Sequence, residues 1–147
     1  MLIEMELREI LTGVDIDPTI VLAEKNGKSR HLPILIGPYE VQMLEWAVFK
    51  KAAPRPLTHD LVLNVINGMG GKLHRVIVDQ MSEDKSNMVG FYHGKLDVEL
   101  NDHTRTWIDS RPSDAIVLAA KLSLPIFVEE DVLHQPESPP EEGDEQE

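Results

Sequence analysis

"DSRPSDAIVLAAKL", residues 109–122, decides the fold. From Ala115 to Leu122 only Lys121 is polar, and a helix that is apolar all round is buried. Its N-terminus must then project from the core to wherever the polar cluster from Asp109 to Asp114 lies. Ser113 or Ser110 suits the N-cap, Pro112 suits the first turn, and Asp114 compensates the helix dipole. Arg111 and the second carboxylate, Asp109, exceed what a cap requires.

Working outward, "MLIEMELREIL", "TIVLAEK" and "RHLPILIG" are apolar or alternating and read as three strands. Turns are expected at Asp15-Ile16-Asp17-Pro18 and at Asn26-Gly27, the latter a strong hairpin signal. "PYEVQMLEWAVFKKA" takes a helical period, with Val41, Leu44, Val48 and Ala52 on one face, and Gly37-Pro38 opens it. "THDLVLNVINGMGG" predicts a second helix with Thr58 as N-cap and Gly68, Gly70 and Gly71 as its stop. "KLHRVIVDQM", "MVGFYHG" and "KLDVEL" predict strands, with "SEDKSN" as the turn between the first two. "RTWIDS" leads into the buried helix, "PIFVEE" is a last short strand and "EEDVLH" a final helical turn.

The expected architecture is one α+β (mixed α/β) domain over residues 1–135. A mixed, largely antiparallel sheet packs with about three main helices. A chain of 147 residues is long enough for one such core. Residues 136–147, "PESPPEEGDEQE", hold six acids, no base and no apolar side chain. Such a tail is expected to be disordered.

The formal net charge is −12, which argues against non-specific clinging to nucleic acid. There is no cysteine, so disulfides and thiolate metal sites are excluded. No basic n-region or long apolar run marks a leader or a membrane span, and a cytoplasmic protein is the expectation.

A second stretch, "PRPLTHDLVL", repeats the physics of the first: Arg-Pro, then a hydroxyl, then an aspartate, then an apolar helix. A helix N-terminus favours an anion, and an arginine fork matches phosphate. Arg55, Thr58, Arg111 and Ser113 are therefore candidate phosphate binders. Asp60, Asp109 and Asp114 offer oxygen ligands for Mg²⁺ or Mn²⁺, and His59 an acid/base. Ordinary capping explains either motif alone; two arginines ahead of two caps is harder to dismiss. Lys50, Lys51 and Arg55 add a basic cluster beside the second motif. "NGMGGK" fails as a P-loop, with Ile66 in place of the first glycine and Leu73 after the lysine. His31, His74, His93, His103 and His134 show no metal-ligand spacing.

"LPILIGPYE", "PRPLTHDL", "DSRPSDAI" and "LPIFVEEDVL" occur in this order, and together they resemble the bifunctional nuclease (BFN) domain family over about residues 2–134. The resemblance implies a mixed α/β fold, a homo-oligomer (dimer or higher), and DNase and RNase activity in some members. The motif positions it carries over are Glu40, Arg55, Pro56, Thr58, His59, Asp60, Asp109, Arg111, Pro112, Ser113 and Asp114. Catalysis by Glu40, His59, Asp60, Asp109 and Asp114 is an inference from their chemistry.

Two functions remain in play. The first is a metal-assisted phosphodiesterase acting on DNA or RNA. The second is a non-catalytic, oligomeric module that binds a ligand or protein. The second is favoured by the net charge and by an aromatic content of only 5%, since single-strand binders stack bases on rings. Trp46 and Phe49 fall off the buried stripe of their helix and hint at an interface. Whether the two Arg-Pro helix starts meet in space decides which residues can cooperate.

Overall fold

The computed structural model of the chain describes residues 1–80 and 92–133. The "SEDKSN" turn, the start of "MVGFYHG", His134 and the acidic tail lie outside the described residues.

Seven strands form one sheet: β1 (Leu2–Gly13), β2 (Ile16–Glu24), β3 (His31–Leu35), β4 (Lys72–Gln80), β5 (Tyr92–Glu99), β6 (Arg105–Ser110) and β7 (Ile126–Glu129). Their order is β3-β2-β1-β7-β4-β5-β6. Every pairing is antiparallel except β4 with β7. Helices α1 (Pro38–Val48), α2 (Thr58–Gly68), α3 (Pro112–Leu122) and the single turn α4 (Glu130–Leu133) complete the domain. The mixed, largely antiparallel sheet with three main helices is the architecture expected from the sequence.

α3 is the centre of the core. Ala115 to Ala119 are at most 1% exposed and belong to one apolar cluster with Val41 and Leu44 of α1, Val76 and Val78 of β4, and Leu96 and Val98 of β5. Strand residues that alternate with these, such as Arg75, Asp97 and Trp107, carry polar groups on the opposite face. Asp97 is buried; its two oxygens accept from Arg75 Nε at 2.8 Å and Arg105 Nη1 at 3.0 Å.

Several boundaries differ from expectation, each for a local reason. The β1–β2 turn is at Val14-Asp15, where Asp15 adopts φ 64°, and Asp17 and Pro18 already belong to β2. Asn26-Gly27 does sit between β2 and β3, but in a longer loop with positive φ at Gly27 and Ser29. α1 ends at Val48 because Lys50 turns left-handed (φ 54°), so its buried face is Val41, Met43, Leu44 and Ala47, not Val48 and Ala52. Phe49 is 80% exposed and Trp46 half-buried, both outside the core as the spacing suggests. Leu57 is the N-cap of α2 and Thr58 its first residue. "MVGFYHG" and "KLDVEL" are not separate strands: from Tyr92 to Glu99 the chain is one strand, and "RTWIDS" is a strand in its own right.

One glycine allows α3 to approach the sheet. A Cβ on Gly94 would lie 2.5 Å from Ser110 Oγ and 2.8 Å from the Arg111 carbonyl oxygen. Backbone cannot yield as a flexible side chain can, so the N-cap residue of α3, Arg111, rests where only glycine fits beneath it. Gly68, at the end of α2, has nothing within 4 Å of its position. Gly94→Ala is expected to cost on the order of 1–3 kcal/mol by overpacking, whereas Gly68→Ala should be neutral or gain up to about 1 kcal/mol. Urea denaturation of both variants checks this; equal midpoints would contradict it.

Charge also closes the β2–β3 loop. Glu24 accepts from Arg30 Nε and Nη2 at 3.0 Å and from its backbone N–H at 2.9 Å. The Arg30 side-chain hydrogen bonds, foremost, hold the Glu24 carboxyl down at about 2. A carboxyl held down by folding stabilises the fold above its ordinary value of 4.5, and that stabilisation is lost as pH falls toward about 2. Denaturation midpoints should therefore drop across this window, and less steeply in Glu24→Gln; identical pH dependence would refute the assignment.

Candidate functional site

Each main helix begins with an acid at its third position: Glu40 in α1, Asp60 in α2 and Asp114 in α3. A carboxylate there offsets the partial positive charge of the helix start. Asp60 does so directly, accepting the Leu57 N–H at 2.9 Å. Glu40 and Asp114 are drawn into contacts between helices.

The two Arg-Pro helix starts do meet, through a different pair than their arginines. His59 Nε2 donates to Asp114 Oδ1 at 3.0 Å. Arg111, the N-cap residue of α3, donates from Nε to Asp114 Oδ2 at 2.8 Å and from Nη2 to Oδ1 at 3.1 Å. The same Nη2 reaches Glu40 Oε1 at 3.0 Å. Tyr39 and Thr58 hydroxyls lie 3.5 Å apart. The starts of α1, α2 and α3 thus converge on Glu40, Arg111, Asp114 and His59. Neither Ser110 nor Ser113 caps α3: no side-chain hydrogen bond is made there, Ser113 is buried, and Ser110 Oγ donates to the Arg111 carbonyl.

Burial pushes the Asp114 carboxyl up, but hydrogen bonds and charge from Arg111 and His59 outweigh it and hold the group below the ordinary carboxylate range. Bonding to Asp114, and then to Glu40, raises Arg111 further. An ionised carboxylate only accepts, so the proton on the shared edge belongs to His59 Nε2. In the neutral ring Nδ1 then carries the lone pair. His59 is 5% exposed, and Nδ1 is the one buried side-chain nitrogen or oxygen without a partner among the described residues.

The other predicted residues lie apart. Asp60 Oδ1 pairs with Lys121 Nζ at 2.6 Å, and that bond, with the Leu57 N–H, lowers its carboxyl. Asp109 is 82% exposed near the end of β6, 3.8 Å from His93 Nδ1. It alternates with Ser110 and so faces away from α3. Arg55 is exposed and has no ion pair among the described residues. The metal set of Asp60, Asp109 and Asp114 is therefore not assembled: each carboxylate has different neighbours. Among the described residues no group of three His, Asp or Glu is placed to hold an ion.

His59 also lines a cavity of about 10 Å³, with Met43, Trp46, Lys51, Ala53, Leu57, Asp60, Val117 and Lys121. That is close to the room one water needs. An open depression of about 480 Å³ shares Trp46, Lys51, Ala53, Asp60 and Lys121 with it and adds Lys50, Arg55 and Leu63 among others. Lys121 lines both spaces and is not among the residues singled out from the sequence, although it is the one polar residue from Ala115 to Leu122.

A buried histidine held by a carboxylate thus stands at a junction of helix starts beside a cationic depression, on an α+β scaffold. The chain belongs to the bifunctional nuclease domain family, which matches residues 20–141. Two uncharacterised proteins of Mycobacterium tuberculosis, MT1877 and Rv1829, are each 35% identical over 118 residues, which is 80% of this chain. The chain spans 65% of the length of these relatives. No helix among the described residues is long and apolar enough to cross a membrane.

Asp114→Asn leaves Arg111 with only Glu40 and weakens the hold on a buried ring. It should cost on the order of 1–3 kcal/mol, and a double-mutant cycle with His59→Asn should show the two losses to be non-additive. Strict additivity in denaturation would show that the contact does not couple the helices.

Proposed function

We propose that the chain hydrolyses phosphodiester bonds in DNA or RNA, with His59 as the acid/base and Asp114 as the group that orients it. The observation that carries this reading is the unclaimed Nδ1 of His59, on a ring that lines a water-sized cavity and whose other nitrogen is fixed by a carboxylate. Family membership supports the same class of reaction.

In this reading a water at Nδ1 gives its proton to the ring as its oxygen attacks phosphorus. The bond to the leaving oxygen breaks, and the imidazolium returns the proton to that oxygen. Asp114 stabilises the imidazolium and fixes the tautomer. Arg111 and Glu40 act as positioning residues, because Arg111 is already committed to Asp114 and Glu40, and Glu40 to Arg111. Thr58 stands exposed at the start of α2, next to His59 in sequence.

A second reading, a non-catalytic ligand-binding module, is favoured by one fact: every charge at the junction is already paired. Hydrolysis of single- and double-stranded DNA and RNA separates the two. On the first reading His59→Asn lowers the rate about 10²–10⁴-fold while the fold persists by circular dichroism. Hydrolysis unchanged in folded His59→Asn protein would eliminate His59 as the acid/base.

A further inference from the structure

The open depression is the largest concentration of positive charge around any of the cavities described, in a chain of net charge −12. Lys50, Lys51, Arg55 and Lys121 line it against a single acid, Asp60. These cations have different duties. Lys50 Nζ donates to the Ala120 and Lys121 carbonyls at 2.6 and 3.1 Å and to Ser123 Oγ at 3.0 Å, which closes the end of α3. Lys121 holds Asp60. Lys51 Nζ stands 4.5 Å from the centroid of the Trp46 ring. Arg55 has no hydrogen bond or ion pair among the described residues, and it lines the depression from a loop flanked by Pro54 and Pro56.

We propose that this depression binds the phosphomonoester of a nucleotide, either free or at the end of a nucleic-acid strand. Arg55 and Lys51 are the phosphate contacts, and the Trp46 wall lies beside the nucleoside. Three features select this ligand. A phosphomonoester carries about −1.5 to −2 charge, which matches an excess of three cations better than the single charge of a diester does. An arginine fork with no other partner among the described residues suits bidentate phosphate binding. The volume is that of a small-molecule site, and the acidic remainder of the chain repels a long polyanion laid across it.

The proposal rests on the hydrolase reading for its biological sense and deepens it. The depression shares walls with the His59 cavity, so the terminal phosphate docks beside the acid/base. That arrangement favours attack near strand ends over attack within a duplex. Asp60 and His59 are consecutive, and they link the two places: one side chain faces the cationic depression and the other faces Asp114.

The test is a binding titration read by the fluorescence of Trp46 in a Trp107→Phe variant, which leaves one indole of the chain's two. The ligands are adenosine 5′-monophosphate, adenosine, inorganic phosphate, and one oligonucleotide with and without a 5′-phosphate. Adenosine 5′-monophosphate or the phosphorylated oligonucleotide should bind at least tenfold tighter than its unphosphorylated counterpart. Arg55→Ala and Lys51→Ala should each remove most of that difference, and the preference should fall with salt. Which of the two phosphorylated ligands binds tighter identifies the source. Binding that ignores the phosphate, binding unchanged in Arg55→Ala, or no binding by any ligand overturns the proposal. His59→Asn separates the two ideas. Retained phosphate-dependent binding without hydrolysis supports both. Phosphate-dependent binding by a wild-type chain that cleaves nothing removes the hydrolase reading alone. Hydrolysis without phosphate-dependent binding removes this site alone.

Discussion

The Asp114 carboxylate is the interaction on which the rest depends. Its two oxygens accept from His59 of α2 and from two nitrogens of Arg111, and Arg111 reaches on to Glu40 of α1. One side chain thereby fixes the starts of all three main helices relative to one another. Carboxylates and guanidinium groups taken from water lose hydration, and only good geometry offsets that loss. The geometry is secured from below. α3 is buried from Ala115 to Ala119, and Gly94 lets the Arg111 backbone that starts the helix lie directly on β5.

The same arrangement divides the charge. Acids stand where helices begin, and cations gather where α1 and α3 end, as the helix dipole favours. α2 starts between these regions, so His59 takes its partner from one and Asp60 takes Lys121 from the other. A chain with a large negative net charge can thus hold a local cationic depression beside a histidine. The overall charge that argues against broad nucleic-acid binding leaves a confined phosphate contact open.

Much of this was legible in the sequence. The apolar run after Asp114 announced a buried helix, and alternation announced the strands from β1 to β4. The paired Arg-hydroxyl-Asp pattern announced that the starts of α2 and α3 matter, and they meet. What the pattern could not convey was partnership. Nothing local says that Arg111 folds back on Asp114, that Asp60 prefers Lys121, or that Asp109 points away because strand alternation separates it from Ser110. Nor does alternation say that Asp97, on the polar side of its strand, is buried between two arginines from neighbouring strands. Helix caps were misplaced by one or two residues, because Leu57 and Arg111 supply the extended backbone that a Thr or Ser was expected to supply.

The tautomer of His59 tests the account most directly, because the junction exists in this reading to leave Nδ1 free. Long-range nitrogen–proton correlation spectra of the neutral imidazole should show the proton on Nε2 and a bare Nδ1. In Asp114→Asn protein that preference should weaken. A neutral ring protonated at Nδ1 in the unmodified chain would contradict the account, since Asp114 could not then receive its hydrogen bond and Nδ1 could not serve as a base.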